Sequence, residues 1–204
     1  MTTARNDKLN VKLAAVVLVV VAGAGGMYLA MSSHGGLMDH GAMSQQHHGN
    51  GMEHDEINMP GLRGENATPE ESADLAVLFR NFETITREVE NLPNGIRTVT
   101  RSSDPDVMDA LVNHSVGMID RVGQLDDPKV MIQSPTLDIF FVRGGDIISE
   151  VSVEDEGLVV IQTSENPDVV AALHTHAAEV SAMVDRGMQA VHEMMAAEGR
   201  THGH

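Results

Sequence analysis

The residues best suited to chemistry lie in one short stretch near the N-terminus. "MDHGAMSQQHHGNGMEH", residues 38–54, holds four histidines and three methionines in seventeen positions. Thioether and imidazole together suit Cu(I), and imidazole also binds Cu(II). A segment without fixed structure can bring two to four such ligands around one ion without strain. We therefore predict copper binding by the ligands of this region, which are His34, Met38, His40, Met43, His47, His48, Met52 and His54, followed by Met59.

An alternative interpretation of the stretch is a solubilising linker that holds no ligand. Methionine is a poor residue for that purpose, because its apolar side chain gains nothing in water. The stretch also resembles the Met/His-rich segments of bacterial periplasmic copper-tolerance proteins, and this resemblance is one of composition. It implies a role in copper handling outside the cytoplasm.

A second methionine and histidine group lies near the C-terminus. Met188, His192 and Met195 follow one another at i, i+4 and i+7, and on a helix this stripe could take Cu(I). A methionine stripe at helical spacing is more often core packing or a partner-binding face. The tail, 197–204, adds two more histidines, which we expect to supplement the N-terminal ligands.

Composition excludes several classes of function. The protein has no cysteine, which excludes disulfides, zinc–thiolate sites and the covalent attachment of c-type haem. Thirty acidic and thirteen basic residues give a net charge of -17, which argues against nucleic-acid binding and favours a cationic partner. No GxSxG, HExxH or glycine-rich phosphate loop is present, so we predict that the protein is not an enzyme.

The N-terminal segment indicates export to or through a membrane. The run "LAAVVLVVVAGAGGMYLAM", 13–31, is nineteen residues without a charge and follows Arg5, Lys8 and Lys12. That length is close to the roughly 20 residues needed to span a bilayer. We predict a signal anchor or transmembrane helix over 1–31, with a cleaved signal peptide as the alternative. Both interpretations place the remaining residues in the periplasm.

Residues 32–69 are rich in Gly, Ser, His, Met and Asn and show no hydrophobic periodicity. This composition predicts a disordered tether that carries the Met/His ligands. A helix is expected to begin at Thr68-Pro69, where a capping residue precedes proline.

The remainder of the sequence is internally repetitive. Shifting the sequence by 62 residues places "GIRTVTRSSDPDVMDALVNHSV", 95–116, over "GLVVIQTSENPDVVAALHTHAA", 157–178, without a gap. The same offset also places Leu75 over Leu137, Phe79 over Phe141 and Ile85 over Ile147 upstream of this segment. We predict one domain over 70–196, built from a first repeat at about 70–124 and a second at about 132–196.

Each repeat predicts a helix, a β-hairpin and a second helix. Apolar residues recur at helical spacing before each hairpin, and β-branched residues alternate on both sides of glycine-containing turns. Asp104-Pro105 and Asn166-Pro167 then supply an N-cap followed by proline. The predicted fold class is α+β, with about four antiparallel strands covered by helices and a pseudo-twofold axis between the halves.

The duplication makes His114 and His176 equivalent, and a pseudo-twofold axis could bring the two side chains face to face. Each lies about 60° from the inward apolar stripe of its helix, which is a half-buried position. Such a pair could hold a metal ion or axially ligate noncovalent haem, lined by Phe79, Phe82, Phe140 and Phe141. A histidine that only packs or hydrogen-bonds in each repeat is the alternative. His174 points about 200° away from His176 on a helix, so only one of them belongs with His114.

The repeats resemble a family of secreted bacterial proteins. "LPNGIRTVTRSSDPDVMDALVNH", "IQSPTLDIFFVRGGD" and "QTSENPDVVAALHTHAAEVSAMV" carry the likeness, which covers residues 57–195. The family is uncharacterised, so the resemblance implies a fold and a compartment rather than an activity. It also implies that both helix histidines belong to the pattern, whereas Phe82 stands where relatives carry histidine.

The sequence thus predicts a membrane-tethered periplasmic protein that binds or handles copper, with a periplasmic copper donor or acceptor protein as its partner. A haem-binding or redox module that uses the histidine pair is the first alternative. A structural or interaction domain without a cofactor is the second.

Overall fold

The computed structural model describes residues 17–20 and 59–200. The helices are α1 (Pro69–Arg80), α2 (Pro105–Gln124), α3 (Asp138–Arg143), α4 (Pro167–Arg186) and α5 (Met188–Ala197). The strands are β1 (Val17–Val20), β2 (Ile85–Leu92), β3 (Gly95–Ser102), β4 (Ile147–Glu154) and β5 (Gly157–Ser164).

The sheet has the order β1-β4-β5-β3-β2. β2, β3, β5 and β4 pair antiparallel throughout, which confirms the predicted α+β class and its four antiparallel strands. The two hairpins are β2–β3 and β4–β5, and the pairing of β3 with β5 joins them. The sheet thereby makes one continuous surface from both repeats.

The apolar run 13–31 is described only at β1, which pairs in parallel with β4. These four residues are extended in the structure, and the rest of the run lies outside the described residues. Among the residues that are described, no helix has both the length and the apolar character needed to cross a bilayer. The membrane anchor stays a prediction from the sequence.

The two halves repeat at the predicted spacing of 62 residues. β4, β5 and α4 begin and end 62 positions after β2, β3 and α2. Thr98 of β3 lies directly opposite Val160 of β5, and these two residues are themselves 62 apart. A pseudo-twofold axis therefore passes through this pair, perpendicular to the sheet.

Local sequence explains where the paired helices begin. Asp104 accepts a hydrogen bond from the N–H of Asp106 at 2.9 Å, and Asn166 accepts one from Asp168 at 3.0 Å. Proline occupies the first position of both helices, where its missing N–H leaves no bond unmade. The predicted N-caps are confirmed.

The core lies on one face of the sheet. Ile147, Ser149 and Val151 of β4 point inward and are buried, whereas the intervening Ile148 and Glu150 are exposed. This alternation is the period of a strand with one covered face.

Each paired helix contributes an equivalent set of residues to this core. From α4, Val169, Leu173 and Ala177 pack with Ile96 of β3 and with Phe140 of α3. From α2, Leu111 packs with Val151 and Leu158 of the second hairpin. The helix of each repeat thus packs on strands of the other.

One boundary differs from that expected. The predicted tether, 32–69, ends earlier: Leu62 is only 1% exposed, and Gly64 forms an antiparallel bridge with Val130. The buried side chain of Leu62 and the backbone bridge order this segment, although its composition is that of a loop.

The chain also breaks at Gly187, whose φ of 56° ends α4 and starts α5. His174 and His176 therefore lie on α4, whereas the stripe of Met188, His192 and Met195 lies on α5.

Candidate functional site

The equivalent histidines of the two repeats lie on α2 and α4, the helices that the pseudo-twofold axis relates. His114 lies on α2 and His176 on α4, each at the tenth residue of its helix. Burial is the main cause that lowers the pKa of His114, and His176 is the second, so the two imidazoles lie near enough to interact electrostatically.

His114 is held in an uncharged state by its surroundings. Its Nδ1 is buried and has no hydrogen-bond partner among the described residues. Burial is the main cause that lowers the pKa of His114 to about 4, and His176 adds to the effect while Glu71 opposes it. At neutral pH this imidazole therefore carries no extra proton that a metal ion must displace.

His176 lies between an aromatic ring and a carboxylate. The Phe140 ring stands edge-on to the imidazole, with 5.9 Å between ring centroids. Nδ1 of His176 lies 3.7 Å from Oε2 of Glu179, one helical turn along α4. That distance exceeds a hydrogen bond, and both atoms are buried without a partner in the described part of the structure.

Glu179 is fixed from its other side. Its Oε1 accepts hydrogen bonds from Ser134 Oγ at 2.8 Å and from Thr136 Oγ1 at 2.9 Å. Burial alone would raise the pKa of the Glu179 carboxyl, but His176 and the two hydroxyls outweigh it and lower the pKa. Glu179 is therefore an ionised carboxylate aimed at one nitrogen of His176.

The role of Glu179 was not predicted from the sequence. Glu179 follows His176 by three positions, a spacing that places both side chains on one helical face, and that spacing was the available signal. Ser134 and Thr136 carried no such signal, because they come from a loop more than forty positions away. In the first repeat the position equivalent to Glu179 is Gly117, so the carboxylate serves one histidine only.

A small cavity of about 210 Å³ adjoins this carboxylate. Glu179 lines it together with Met183 on α4 and Met194 on α5. The predicted C-terminal stripe of Met188, His192 and Met195 does not line this cavity. Met195 is buried in the core, and His192 is half-buried. Soft sulfur ligands therefore lie beside Glu179, though they are not the methionines that the spacing singled out.

His174 has a separate role, as the predicted helical geometry requires. Its Nε2 lies 3.1 Å from the carbonyl oxygen of Leu92 and 2.8 Å from that of Gly95, and as an N–H it donates to both. It ties α4 to the turn of the first hairpin. His174 is a structural residue and does not belong to the pair.

The other predicted candidates lie in different places. Of the phenylalanines expected to line the pair, Phe140 contacts His176, whereas Phe82 lines a different cleft beside Gly187. The tether ligands from His34 to His54 and the tail histidines lie outside the described residues. Within 17–20 and 59–200, no group of three or more His, Asp and Glu side chains is arranged to hold a metal ion.

Comparisons of the sequence and structure with protein-family models, with curated proteins and with solved structures found no match.

Proposed function

We propose that this protein is a membrane-tethered periplasmic protein that binds and handles copper. In this proposal the Met/His-rich tether captures the ion, and the folded domain holds it as Cu(I) between His114 and His176. The observation that carries the proposal is the pair itself: equivalent imidazoles from two repeats, in which the buried Nδ1 of His114 has no partner among the described residues and Nδ1 of His176 faces Glu179 at 3.7 Å.

The ligand chemistry favours Cu(I) over other common metals. Structural zinc takes four protein ligands and catalytic zinc three, and calcium takes six or more oxygens. Cu(I) is satisfied by two opposed nitrogen ligands, which a pair of imidazoles related by a twofold axis can offer.

The surroundings of the pair suit a metal ligand better than a packing residue. A packed histidine normally finds a hydrogen-bond partner for a buried nitrogen, as His174 does. A metal-binding histidine commonly turns its second nitrogen toward a carboxylate, which fixes its tautomer and orientation. Glu179 is placed to do this for His176, and it is a positioning residue in the proposal.

The low pKa of His114 has a consequence for metal binding. A ligand must be deprotonated to bind, so protons compete with the metal below the pKa of the ligand. Because the pKa of His114 is about 4, this ligand stays available in mildly acidic solution. The net charge of -17 would also raise the local concentration of cations.

The haem alternative keeps a distinct signature. Bis-histidine haem would give an intense absorption band at about 400 nm in the purified protein, whereas Cu(I) is colourless. Neither the cavity beside Glu179 nor the cleft beside Phe82 is lined by His114 or His176. This observation favours the copper proposal over haem.

The test is an anaerobic Cu(I) titration of the full-length protein against a competing chelator. Four proteins form a cycle: the wild type, a tether variant with every His and Met of residues 34–54 replaced by Ser or Gln, the double variant His114→Leu/His176→Leu, and the combination.

We expect the tether variant to keep one tight site and the double variant to lose it, while the combination binds no copper tightly. His174→Gln is the matched control, because it removes a histidine from α4 and leaves the pair intact. If the double variant binds as the wild type does, the pair is scaffold; if the tether variant binds nothing, the domain has no site.

A further inference from the structure

A second candidate site lies at the C-terminal end of α4, away from the histidine pair. A cleft of about 710 Å³ opens between the start of β2 and the end of α4. Phe82, Ile85 and Val184 form its apolar wall, and Arg87 of β2 lies within it. Neither histidine of the pair and none of the residues that hold Glu179 lines this cleft.

Arg87 is a desolvated cation without a carboxylate partner among the described residues. Its Nη1 donates to Thr100 Oγ1 at 2.7 Å, and its buried Nε has no acceptor. Arg97, Arg121 and Arg186, by contrast, each form an ion pair with a glutamate. Burial lowers the pKa of Arg87 to about 10. A buried charge in this state is costly unless something pairs with it.

The second repeat shows that the fold does not need this charge. The position equivalent to Arg87 is Ser149, which accepts a hydrogen bond from Gln162 Nε2 at 3.2 Å. Gln162 is in turn the equivalent of Thr100, so the same contact across the strands is made there by two neutral side chains. The guanidinium is an addition specific to the first repeat.

We propose that this cleft binds a small organic monocarboxylate. The carboxylate pairs with Nη2 of Arg87, which has no acceptor among the described residues, and the apolar body of the ligand lies against Phe82 and Val184. Glu83 and Asp185 also line the cleft and disfavour a dianion such as phosphate. This inference is independent of the copper proposal.

The test is a titration of the full-length protein, ¹⁵N-labelled, with benzoate, its neutral analogue benzamide, inorganic phosphate and N-acetyl-leucyl-leucine. The amide resonances of Thr86 and Val184 report binding. We expect saturable shifts with benzoate and affinity at least about tenfold weaker for benzamide and phosphate. Tighter binding of the peptide than of benzoate would identify the C-terminus of a polypeptide as the natural source of the carboxylate.

Arg87→Gln is the decisive variant, because the second repeat already contains a glutamine in the equivalent cross-strand contact. It should weaken benzoate binding at least about tenfold while Arg101→Gln, an exposed control, leaves it unchanged. Thermal unfolding of both variants verifies that they fold. Equal binding of benzoate and benzamide, unchanged binding by Arg87→Gln, or no saturable shift with any carboxylate would overturn the proposal.

Discussion

The two repeats share one backbone plan, although most of their side chains differ. His114 and His176 are identical, as are the strand and helix boundaries around them. At the outer ends of the helices, a large residue and a glycine have changed places. Phe82 lies against Gly187 in one half, and Leu125 lies against Gly144 in the other.

This comparison separates two kinds of site. Positions near the pseudo-twofold axis lie close to their own equivalents, as Thr98 does to Val160, and His114 and His176 are near enough to interact electrostatically. Positions at the outer ends meet no equivalent and are free to differ, and there the first repeat has acquired Arg87 and a cleft. The proposed copper site thus depends on symmetry, and the proposed carboxylate site depends on its loss.

The largest expected effect comes from disrupting the pairing of β3 with β5, which joins the two repeats. A Cβ at Gly95 would lie 1.9 Å from the carbonyl oxygen of Gln162, so Gly95→Ala must push β3 away from β5. We expect a loss of about 3 kcal/mol or more in the free energy of unfolding, measured by urea denaturation. Gly117→Ala is the control: beyond the neighbouring backbone of α2, no described atom lies within 4 Å of the added Cβ, and alanine should stabilise α2 by up to about 1 kcal/mol. Equal effects of the two changes would contradict the tight pairing of the hairpins.

The next effect is a pH dependence of the free energy of unfolding, which arises from His114 of the histidine pair. Between about pH 6.5 and pH 4, the unfolded protein binds a proton at residue 114 that the folded protein excludes. The free energy of unfolding of metal-free protein should therefore fall as the pH falls through this range, by about 2 kcal/mol more than in His114→Leu. Urea denaturation at a series of pH values measures the difference. Parallel pH profiles would show that His114 is not desolvated.

A smaller effect tests the asymmetric end. Arg87→Met removes a buried charge that has no anion beside it in the described structure, so we expect ligand-free protein to gain about 1 to 2 kcal/mol of stability. Thermal unfolding monitored by circular dichroism measures the gain. Arg101→Met, on the exposed face of the neighbouring strand, should change stability by less than about 0.5 kcal/mol. A loss of stability in Arg87→Met would mean that the folded protein already satisfies this charge.

The smallest effect concerns the N-caps of α2 and α4, which occupy equivalent positions in the two repeats. Asp104→Ala removes the N-cap hydrogen bonds from the N–H groups of Asp106 and Val107, and Asn166→Ala removes the one from Asp168 together with the bond donated to Asp146, so each should cost about 1 kcal/mol. The two losses, measured by urea denaturation, should agree within about 0.5 kcal/mol. A larger difference would show that the two helices contribute unequally to the fold.

The sequence predicted those features that depend on local pattern and on the repeat. The offset of 62 residues, the hairpins and the N-caps followed from alternation, turn residues and proline, and the equivalence of His114 with His176 followed from the offset. The break at Gly187 was missed because apolar residues continue at helical spacing across it.

Features created by distant contacts could not be predicted in the same way. Leu62 is ordered by a bridge to residues near 130, and Glu179 is fixed by hydroxyls from a separate loop. Arg87 has no ion-pair partner among the described residues because the fold places no carboxylate within contact of its guanidinium. Each of these depends on which segments the tertiary fold brings together, and no local pattern encodes that.

The central claim is that two half-buried imidazoles, one from each repeat, hold Cu(I). The most direct measurement is X-ray absorption at the copper edge of the tether variant loaded with one equivalent of Cu(I). We predict scattering from two imidazoles, which His114→Leu/His176→Leu abolishes. An unaltered spectrum in the double variant, or a site made of sulfur ligands alone, would contradict the claim.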